Sequence, residues 1–371
     1  MPQRQDGGGF AYRGVGYDTG STYSTYQGDL SRNVWNTELM EAEVGLVSDR
    51  LNANCITVYG SDFGRLTETA TAALDRGLHV RLDPRLANHG QDEVIDHIAG
   101  VARLAEDLRT NGGDVSLTVG TEHSILTNGI MPGDSYLERM FAIYFEGEMR
   151  FGVRVGKPLT PQAKEIIAES APRLNAFLGR AAAAARGAFR GELSYSGPAW
   201  EQVDWTPFDL VGIALFLNPA ALTPEQHLAE LARFRAHGKP VLIAGFGVGS
   251  YRGAERKGFF NWDIVDRTQE PPTVLDGFVR DEGEQAAYYR KMLGLFEEAG
   301  VHGVAPADLV HPTHPHSADP KHDLDMASMS LVKSVRDDHF DHDSAYRREF
   351  KESFHAVAQY YGAASARASA A

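Results

Sequence analysis

The stretch VSLTVGTEHS at residues 115–124 places a glutamate and a histidine directly behind a short run of apolar and β-branched residues. Such a run, ended by a glycine, predicts a buried strand. The segments on either side, residues 92–109 and 162–189, have the spacing of apolar residues that is typical of helices. A strand between two helices is the repeating unit of a parallel α/β sheet.

The same alternation runs outward from this unit through most of the chain. Strands are predicted at residues 10–17, 55–59, 79–82, 115–119, 192–196, 210–216, 241–244 and 301–305. Helices are predicted at residues 38–52, 66–76, 92–109, 162–189, 224–237 and 282–299, with two more after residue 327 and near residues 347–361. Eight strands in this order indicate an α/β fold, the closed (β/α)8 barrel. An open dinucleotide-binding sheet is disfavoured, because no helix directly follows the glycines at 14, 16 and 20.

We therefore expect one barrel domain over residues 1–371, with its core at 10–335 and a C-terminal linker, helix and tail at 336–371. Long loops are predicted after the fourth, seventh and eighth strands, at residues 121–138, 246–282 and 309–326. Barrel enzymes carry their chemistry in the loops at this end of the strands.

Composition narrows the function further. The 371 residues carry 50 acidic and 36 basic side chains, a formal charge of −14. This sign disfavours nucleic acids and anionic membranes as partners. With one cysteine, Cys55, and no apolar leader, the sequence predicts a cytoplasmic protein that acts on a small molecule without a cofactor. It leaves the oligomeric state open.

Glu122 is the leading candidate for catalysis, because a carboxyl group at the end of a barrel strand lies where barrel enzymes bind substrate. A structural ion pair is the alternative. Asp83 and Arg85 are more simply explained as a pair that holds a loop.

Several motifs carry a resemblance to a known group: RGVGY at 13–17, TVYG at 57–60, the stretch 115–122, YRGA at 251–254, NWDIVD at 261–266, FVRDE at 278–282, PHSADP at 315–320 and HDLDMAS at 322–328. The chain resembles an actinobacterial group of barrel proteins often labelled "abortive phage infection protein". More distantly, it resembles retaining glycoside hydrolases with catalytic glutamates at the ends of strands four and seven.

The resemblance implies that Glu122 is a general acid/base and that the nucleophile belongs at position 245, where this sequence has glycine. A retaining glycosidase needs both carboxyl groups, and Gly245 supplies none. Three explanations stay open: repurposed chemistry, a binding or regulatory relic, and an engineered nucleophile knockout.

Another strand end would then have to supply the second carboxyl group. Asp308, after strand eight, is our candidate for catalysis, and Asp62 is a further possible base. The residues predicted to contact substrate are Arg13, Tyr17, Tyr59, Asp62, Arg81, His123, Tyr195, Trp200 and Tyr251. A salt bridge of Asp308 with Arg13 or Arg81 is the structural alternative.

The eighth loop is rich in imidazoles and carboxylates, at His311, His314, His316, Asp319, His322, Asp323 and Asp325. These residue types suit a metal ion. We favour a structural role, in which the aspartates form Asx turns and a helix N-cap, and we predict no metal site.

The sequence thus predicts a glycoside-hydrolase-like barrel enzyme that uses Glu122 on a hydroxyl-rich or cyclic small molecule. The reaction is either hydrolysis or a biosynthetic elimination, rearrangement or cyclisation. The alternative is a non-catalytic barrel that binds a glycan, a metabolite or a protein.

Overall fold

The computed structural model describes residues 9–21, 30–144, 159–215 and 222–370. Its main sheet has eight parallel strand positions. Strand β1 is split into Tyr12–Arg13 and Gly16–Asp18, and the others are Cys55–Gly60 (β2), His79–Pro84 (β3), Val115–Thr121 (β4), Leu193–Pro198 (β5), Val211–Ala214 (β6), Val241–Phe246 (β7) and Gly303–Pro306 (β8). Phe216, at the end of the sixth predicted strand, lies outside the described residues.

The split first strand closes the ring. Its first piece pairs with β8, with Tyr12 opposite Gly303, and its second piece pairs with β2, with Gly16 opposite Thr57. Each neighbouring pair around the ring is parallel. The predicted (β/α)8 barrel is confirmed, and the carboxyl ends of all its strands meet at one rim, here called the mouth.

Helices follow the strands as the sequence predicts. They are α1 (Thr37–Asp49), α2 (Phe63–Asp75), α3 (Gln91–Thr110), α4 (His123–Leu126), α5 (Tyr136–Tyr144), α6 (Pro161–Ala188), α7 (Pro224–Arg235), α8 (Ala254–Lys257), α9 (Glu282–Glu298) and α10 (Glu352–Ala370). Side-chain N-caps begin several of them, for example at Asn36, Asp62 and Thr160. Among the described residues, no helix has both the length and the apolar character needed to cross a membrane.

The two long loops after β7 and β8 contain short elements of their own. The first has a 3₁₀ helix at Gly258–Trp262 and a ladder that pairs Val265–Asp266 with Thr273–Val274. The second has a 3₁₀ helix at Leu324–Ala327. These segments follow the carboxyl ends of β7 and β8, where the sequence predicts long loops.

The barrel has an apolar outside and a polar inside. In β3, Val80 and Leu82 pack in the hydrophobic core, while the alternate residue Arg81 is buried among residues from other strands. Its guanidinium lies 5.0 Å from the Tyr12 ring and 3.9 Å from Glu192, which directly precedes β5. Because these partners come from β1 and the start of β5, Arg81 occupies the barrel interior.

The chain after the barrel differs from the prediction. In place of a helix after residue 327, Val332–Arg336 pairs with Tyr346–Phe350 as an antiparallel hairpin. The predicted linker contains the turn of this hairpin, and α10 begins at Glu352 rather than near 347. Burial of Val332 and Ser334 but not of Lys333 follows the period of a strand, which explains the difference.

A buried ion pair joins three parts of the fold. Arg32 Nη1 lies 2.7 Å from Glu43 Oε2, and neither side chain is exposed to solvent. The hydroxyls of Tyr17 in β1 and Tyr346 in the hairpin each donate to the Glu43 carboxylate at 2.8 Å. The cluster ties β1, α1 and the C-terminal hairpin together.

Replacing Glu43 by alanine tests the importance of this cluster. The change leaves Arg32 buried without its carboxylate, so we expect the free energy of unfolding to fall by about 3–5 kcal/mol. Urea unfolding at pH 7.5 measures it. The matched control is Asp92→Ala, which removes an exposed partner of Arg180 and should cost less than about 1 kcal/mol. Equal losses in the two variants would contradict this account.

Candidate active site

Glu122 directly follows β4 and is the centre of the candidate site. Its backbone is left-handed, with φ 48° and ψ 41°, which costs a non-glycine residue of order 1–3 kcal/mol. Its N–H donates to the carbonyl of Ser196 in β5 at 3.0 Å, and its own carbonyl accepts from the N–H groups of Ile125 and Leu126 in α4. These bonds turn the chain sharply away from β4 and fix Glu122 at the mouth.

The surroundings of Glu122 favour its protonated form. Burial raises the pKa of its carboxyl, Arg85 lowers it and Asp83 raises it. Within the described part of the chain, no hydrogen bond or ion pair engages the Glu122 carboxyl group. A carboxyl with a raised pKa and no internal partner suits general acid/base chemistry.

Asp308 stands across the ring, since β8 and β4 are four strands apart in either direction. Its backbone is also left-handed, with φ 68°. The hydroxyl of Tyr59 donates to Asp308 Oδ1 at 2.6 Å, and His311 Nε2 lies 3.9 Å from Oδ2. A Cβ at position 16 would lie 2.9 Å from Oδ1, so a larger residue there would displace the Asp308 carboxylate. The Asp308 side chain is 16% exposed, so solvent reaches it.

Asp83 and Arg85 form the pair that the sequence predicts. Arg85 Nε donates to Asp83 Oδ2 at 2.9 Å, and Nη2 lies 2.8 Å from the same oxygen. The guanidinium also lies 3.5 Å from the centre of the Tyr59 ring. Arg85 therefore connects the Asp308 side of the mouth, through Tyr59, with the Glu122 side.

Aromatic side chains form a wall beside Glu122. The indole N–H of Trp200 donates to the hydroxyl of Tyr144 at 2.6 Å. The Tyr144 ring meets Phe260 edge-on at 5.5 Å, and Phe260 lies 6.5 Å from Trp262. Burial and the charge of Glu122 both raise the pKa of Tyr144. Tyr144 ends α5, which follows β4, and Trp200 lies in the loop after β5, so both lie on the mouth side of the barrel.

Strand β7 brings no carboxyl group to the mouth. Gly245 is buried near its end, and its carbonyl accepts the N–H of Leu215 at 2.8 Å. The next residue, Phe246, packs on Tyr289 and Phe296 of α9. The end of β7 therefore has a glycine followed by a phenylalanine that packs against α9, outside the barrel.

Three predicted substrate contacts lie away from the mouth. Tyr17 donates to Glu43 in the buried ion-pair cluster outside the barrel. Arg13 donates to the carbonyl of Phe10, and Arg81 lies deep in the barrel beside Tyr12. Neither arginine pairs with Asp308 among the described residues. Substrate contact by these three side chains has no geometric support.

Four further candidates have structural partners instead. The carboxylate of Asp62 caps α2 by accepting from the N–H of Arg65 at 2.8 Å, and Tyr251 donates to the carbonyl of Asn261 at 2.6 Å. The His123 ring is buried, with both nitrogens hydrogen-bonded, and Tyr195 donates to Glu201 at 2.7 Å. The predicted base Asp62 is therefore less suited to catalysis than Asp308.

The eighth loop is held by ion pairs. Arg280 contacts Asp323 and Asp325 at 2.9 and 2.8 Å, and His316 Nδ1 lies 2.9 Å from Asp323. The Asx turn is present at Asp319, whose carboxylate accepts the N–H of Lys321. The expected N-cap differs, because the Asp323 carboxylate bonds to Arg280, His316 and the N–H of Ser317 rather than to the helix. Within the described residues, no group of three or more His, Cys, Asp or Glu is arranged to hold a metal.

The sequence prediction missed Glu201. This residue lies in the loop after β5, is only 9% exposed and accepts from both Tyr195 and the N–H of Ser124. Burial raises the pKa of Glu201 to about 7, and the charge of Glu122 contributes to the increase. The feature of the sequence that could have indicated Glu201 is its position directly after Trp200, a predicted substrate contact.

Comparison with solved structures supports the fold. A glycoside hydrolase family 113 β-1,4-mannanase in a complex has a TM-score of 0.53 at 15% identity, covering 95% of this chain and 98% of that one. The family 113 β-mannanase of Alicyclobacillus acidocaldarius has a TM-score of 0.55 at 16% identity, with 96% and 98% covered. A β-glycosidase of Pyrococcus horikoshii has 0.52 at 10% identity, with 98% and 96% covered.

These neighbours are glycoside hydrolases, and at such identities the likeness concerns the fold alone. No protein-family model matches the sequence, and no curated protein matches it. The comparisons therefore show the fold of the chain, an α/β TIM barrel.

His123 provides a test of the packing behind Glu122. Burial lowers the pKa of His123 to about 4, against about 6.5 in an unfolded chain. Because the unfolded chain binds the proton more readily, stability is lost as the pH falls from 6.5 towards 4. Wild type should lose about 2 kcal/mol more than His123→Gln between pH 7.5 and 5.0 in urea unfolding. The exposed control His342→Gln should follow wild type, and parallel pH curves for all three proteins would contradict the assignment.

Proposed function

We propose that this protein is a glycoside-hydrolase-like enzyme that uses Glu122 as general acid/base on a hydroxyl-rich or cyclic small molecule. The observation that carries the proposal is the Glu122 carboxyl itself. It lies at the carboxyl end of β4 in a left-handed turn, its pKa is raised by burial, and within the described residues nothing is bonded to it. Three glycoside hydrolases share the barrel.

In the proposed reaction, protonated Glu122 donates its proton to the leaving-group oxygen as the bond to the ring carbon breaks. A raised pKa keeps this proton available closer to neutral pH than an ordinary glutamate would. The positive charge of Arg85 lowers the pKa of Glu122 and so limits the increase. Activity that needs the acid form therefore falls as the pH rises through the pKa of Glu122.

Asp308 is the proposed second carboxyl group. With glycine at 245, no carboxylate of β7 is available to form a glycosyl ester. Asp308 follows the strand opposite β4 in the ring, and its side chain is 16% exposed. It would accept a proton from water as the water attacks the ring carbon, which inverts the configuration at that carbon. Tyr59 holds the Asp308 carboxylate in place through Oδ1.

The walls of the mouth favour a substrate that offers both hydroxyl groups and an apolar face. Trp200 and Tyr144 supply aromatic surface, while Arg85, Asp83 and Asp308 supply donors and acceptors. This combination suits a sugar ring. An elimination or cyclisation would use the same Glu122 proton without Asp308 and water, so loss of activity on changing Asp308 distinguishes hydrolysis from these reactions.

The test is the Glu122→Gln variant, assayed on a panel of methyl glycosides and disaccharides, whose poor leaving groups need a proton from a general acid. Glutamine keeps the size of the side chain but has no proton to transfer. We expect kcat to fall by at least about 100-fold, while Kd for the glycoside that wild type cleaves stays within a few-fold by calorimetry. Asp308→Asn should cause a loss of similar size.

Asp114→Asn is the matched control, because Asp114 directly precedes β4 at the opposite end of the barrel. It should leave kcat unchanged. Turnover that survives in Glu122→Gln would remove the basis of the proposal. Glycosides that bind to wild type but are never cleaved would support a non-catalytic barrel.

A further inference from the structure

Tyr195 of β5 and Glu201 of the loop after β5 hold the backbone that follows Glu122. The N–H of His123 donates to the hydroxyl oxygen of Tyr195 at 3.0 Å, and the N–H of Ser124 donates to Glu201 Oε1 at 3.2 Å. The Tyr195 hydroxyl in turn donates a hydrogen bond to Glu201 Oε2 at 2.7 Å. Glu201 therefore receives the first two N–H groups after Glu122, one directly and one through Tyr195.

These bonds bear directly on the left-handed turn. The peptide group before Glu122 is fixed by its N–H bond to Ser196, and the groups after it are fixed by Tyr195 and Glu201. All three partners come from β5 or the loop behind it. Since the left-handed conformation is costly on its own, it persists only where the surroundings determine it.

Gly197 leaves the space that the Glu201 carboxylate occupies beside Tyr195. A Cβ at position 197 would lie 2.7 Å from Glu201 Oε2 and 3.1 Å from the Tyr195 ring. The first distance is shorter than real Cβ contacts permit. Glycine at 197 therefore lets the Glu201 carboxylate reach both of its donors.

Glu201 is also electrostatically linked to Glu122. Burial is the largest cause of the raised pKa of Glu201, about 7, and the Glu122 charge adds to it. The charges of both glutamates raise the pKa of Tyr144 as well. The charge of Glu122 therefore acts on the Glu201 carboxyl group, and by thermodynamic reciprocity the charge of Glu201 acts on Glu122.

We propose that Glu201 is a positioning residue for Glu122, which holds the left-handed turn after β4 through Tyr195 and the N–H of Ser124. The inference rests on the proposed function only in taking Glu122 as the acid. Protonation of Glu201 converts one of its two acceptor oxygens into a hydroxyl group. The hydrogen bonds that hold the turn at Glu122 therefore weaken below neutral pH.

The test follows the side-chain carboxyl ¹³C signals of glutamate across pH 4–9 and needs no substrate. Glu122→Gln and Glu201→Gln assign the two signals by their absence. In wild type we expect the Glu122 signal to show two steps, its own and a second near pH 7 that reports Glu201. Glu201→Gln should remove the second step, and Glu122→Gln should lower the pKa of Glu201.

Tyr195→Phe tests the hydrogen-bonded link without changing a charge. It should shift the pKa of Glu122 and, on any cleaved glycoside, lower kcat by at least about tenfold with KM within threefold. The control is Tyr251→Phe, which removes an equally buried hydroxyl bonded to the carbonyl of Asn261. It should leave the Glu122 signal unchanged.

The inference would be overturned if the Glu122 signal had the same pH dependence in Glu201→Gln and Tyr195→Phe as in wild type. The proposed function fails differently, by turnover that survives in Glu122→Gln. If Glu122 titrates as expected but is not needed for turnover, the positioning role stands and the acid role does not.

Discussion

The parallel pairing that closes the ring between β8 and β1 is the constraint on which the mouth depends. Tyr12 lies opposite Gly303, so residues almost three hundred positions apart become neighbours. The second piece of β1 continues the ring, with Gly16 opposite Thr57 of β2. Closure brings Asp308 to the side of the ring opposite Glu122. It also brings Asp308 against Gly16, whose missing side chain leaves space for the carboxylate.

The mouth has two halves that are chemically different. Around Glu122 lie a second buried glutamate, Glu201, and the aromatic pair of Tyr144 and Trp200. Asp308 accepts a hydrogen bond from Tyr59 and is partly exposed to solvent. Arg85 stands between the halves, stacked on Tyr59 and paired with Asp83, and so limits how far the pKa of Glu122 rises. The first half suits a group that gives up a proton, and the second suits a group that activates water.

Much of the barrel could be predicted from the sequence, because runs of buried β-branched residues and helical periods are local signals. Glu122 and Asp308 were predictable as residues that follow strands. The direction of a side chain near a strand end was not, because a shift of one residue reverses its face. The Tyr17 hydroxyl therefore donates to Glu43 outside the barrel, whereas the charge of Asp308 raises the pKa of the neighbouring Asp18. Glu201 acts through Ser124 and Tyr195, and no local period marks it.

The anomeric configuration of the first product is the most direct test of the central claim, that Glu122 acts with Asp308 and without a nucleophile at position 245. Proton NMR during cleavage of a 4-nitrophenyl glycoside reports it before the sugar equilibrates. The account predicts a first-formed sugar of inverted configuration. A retained configuration would require a covalent intermediate on another carboxylate, and would contradict the roles assigned to Asp308 and Gly245.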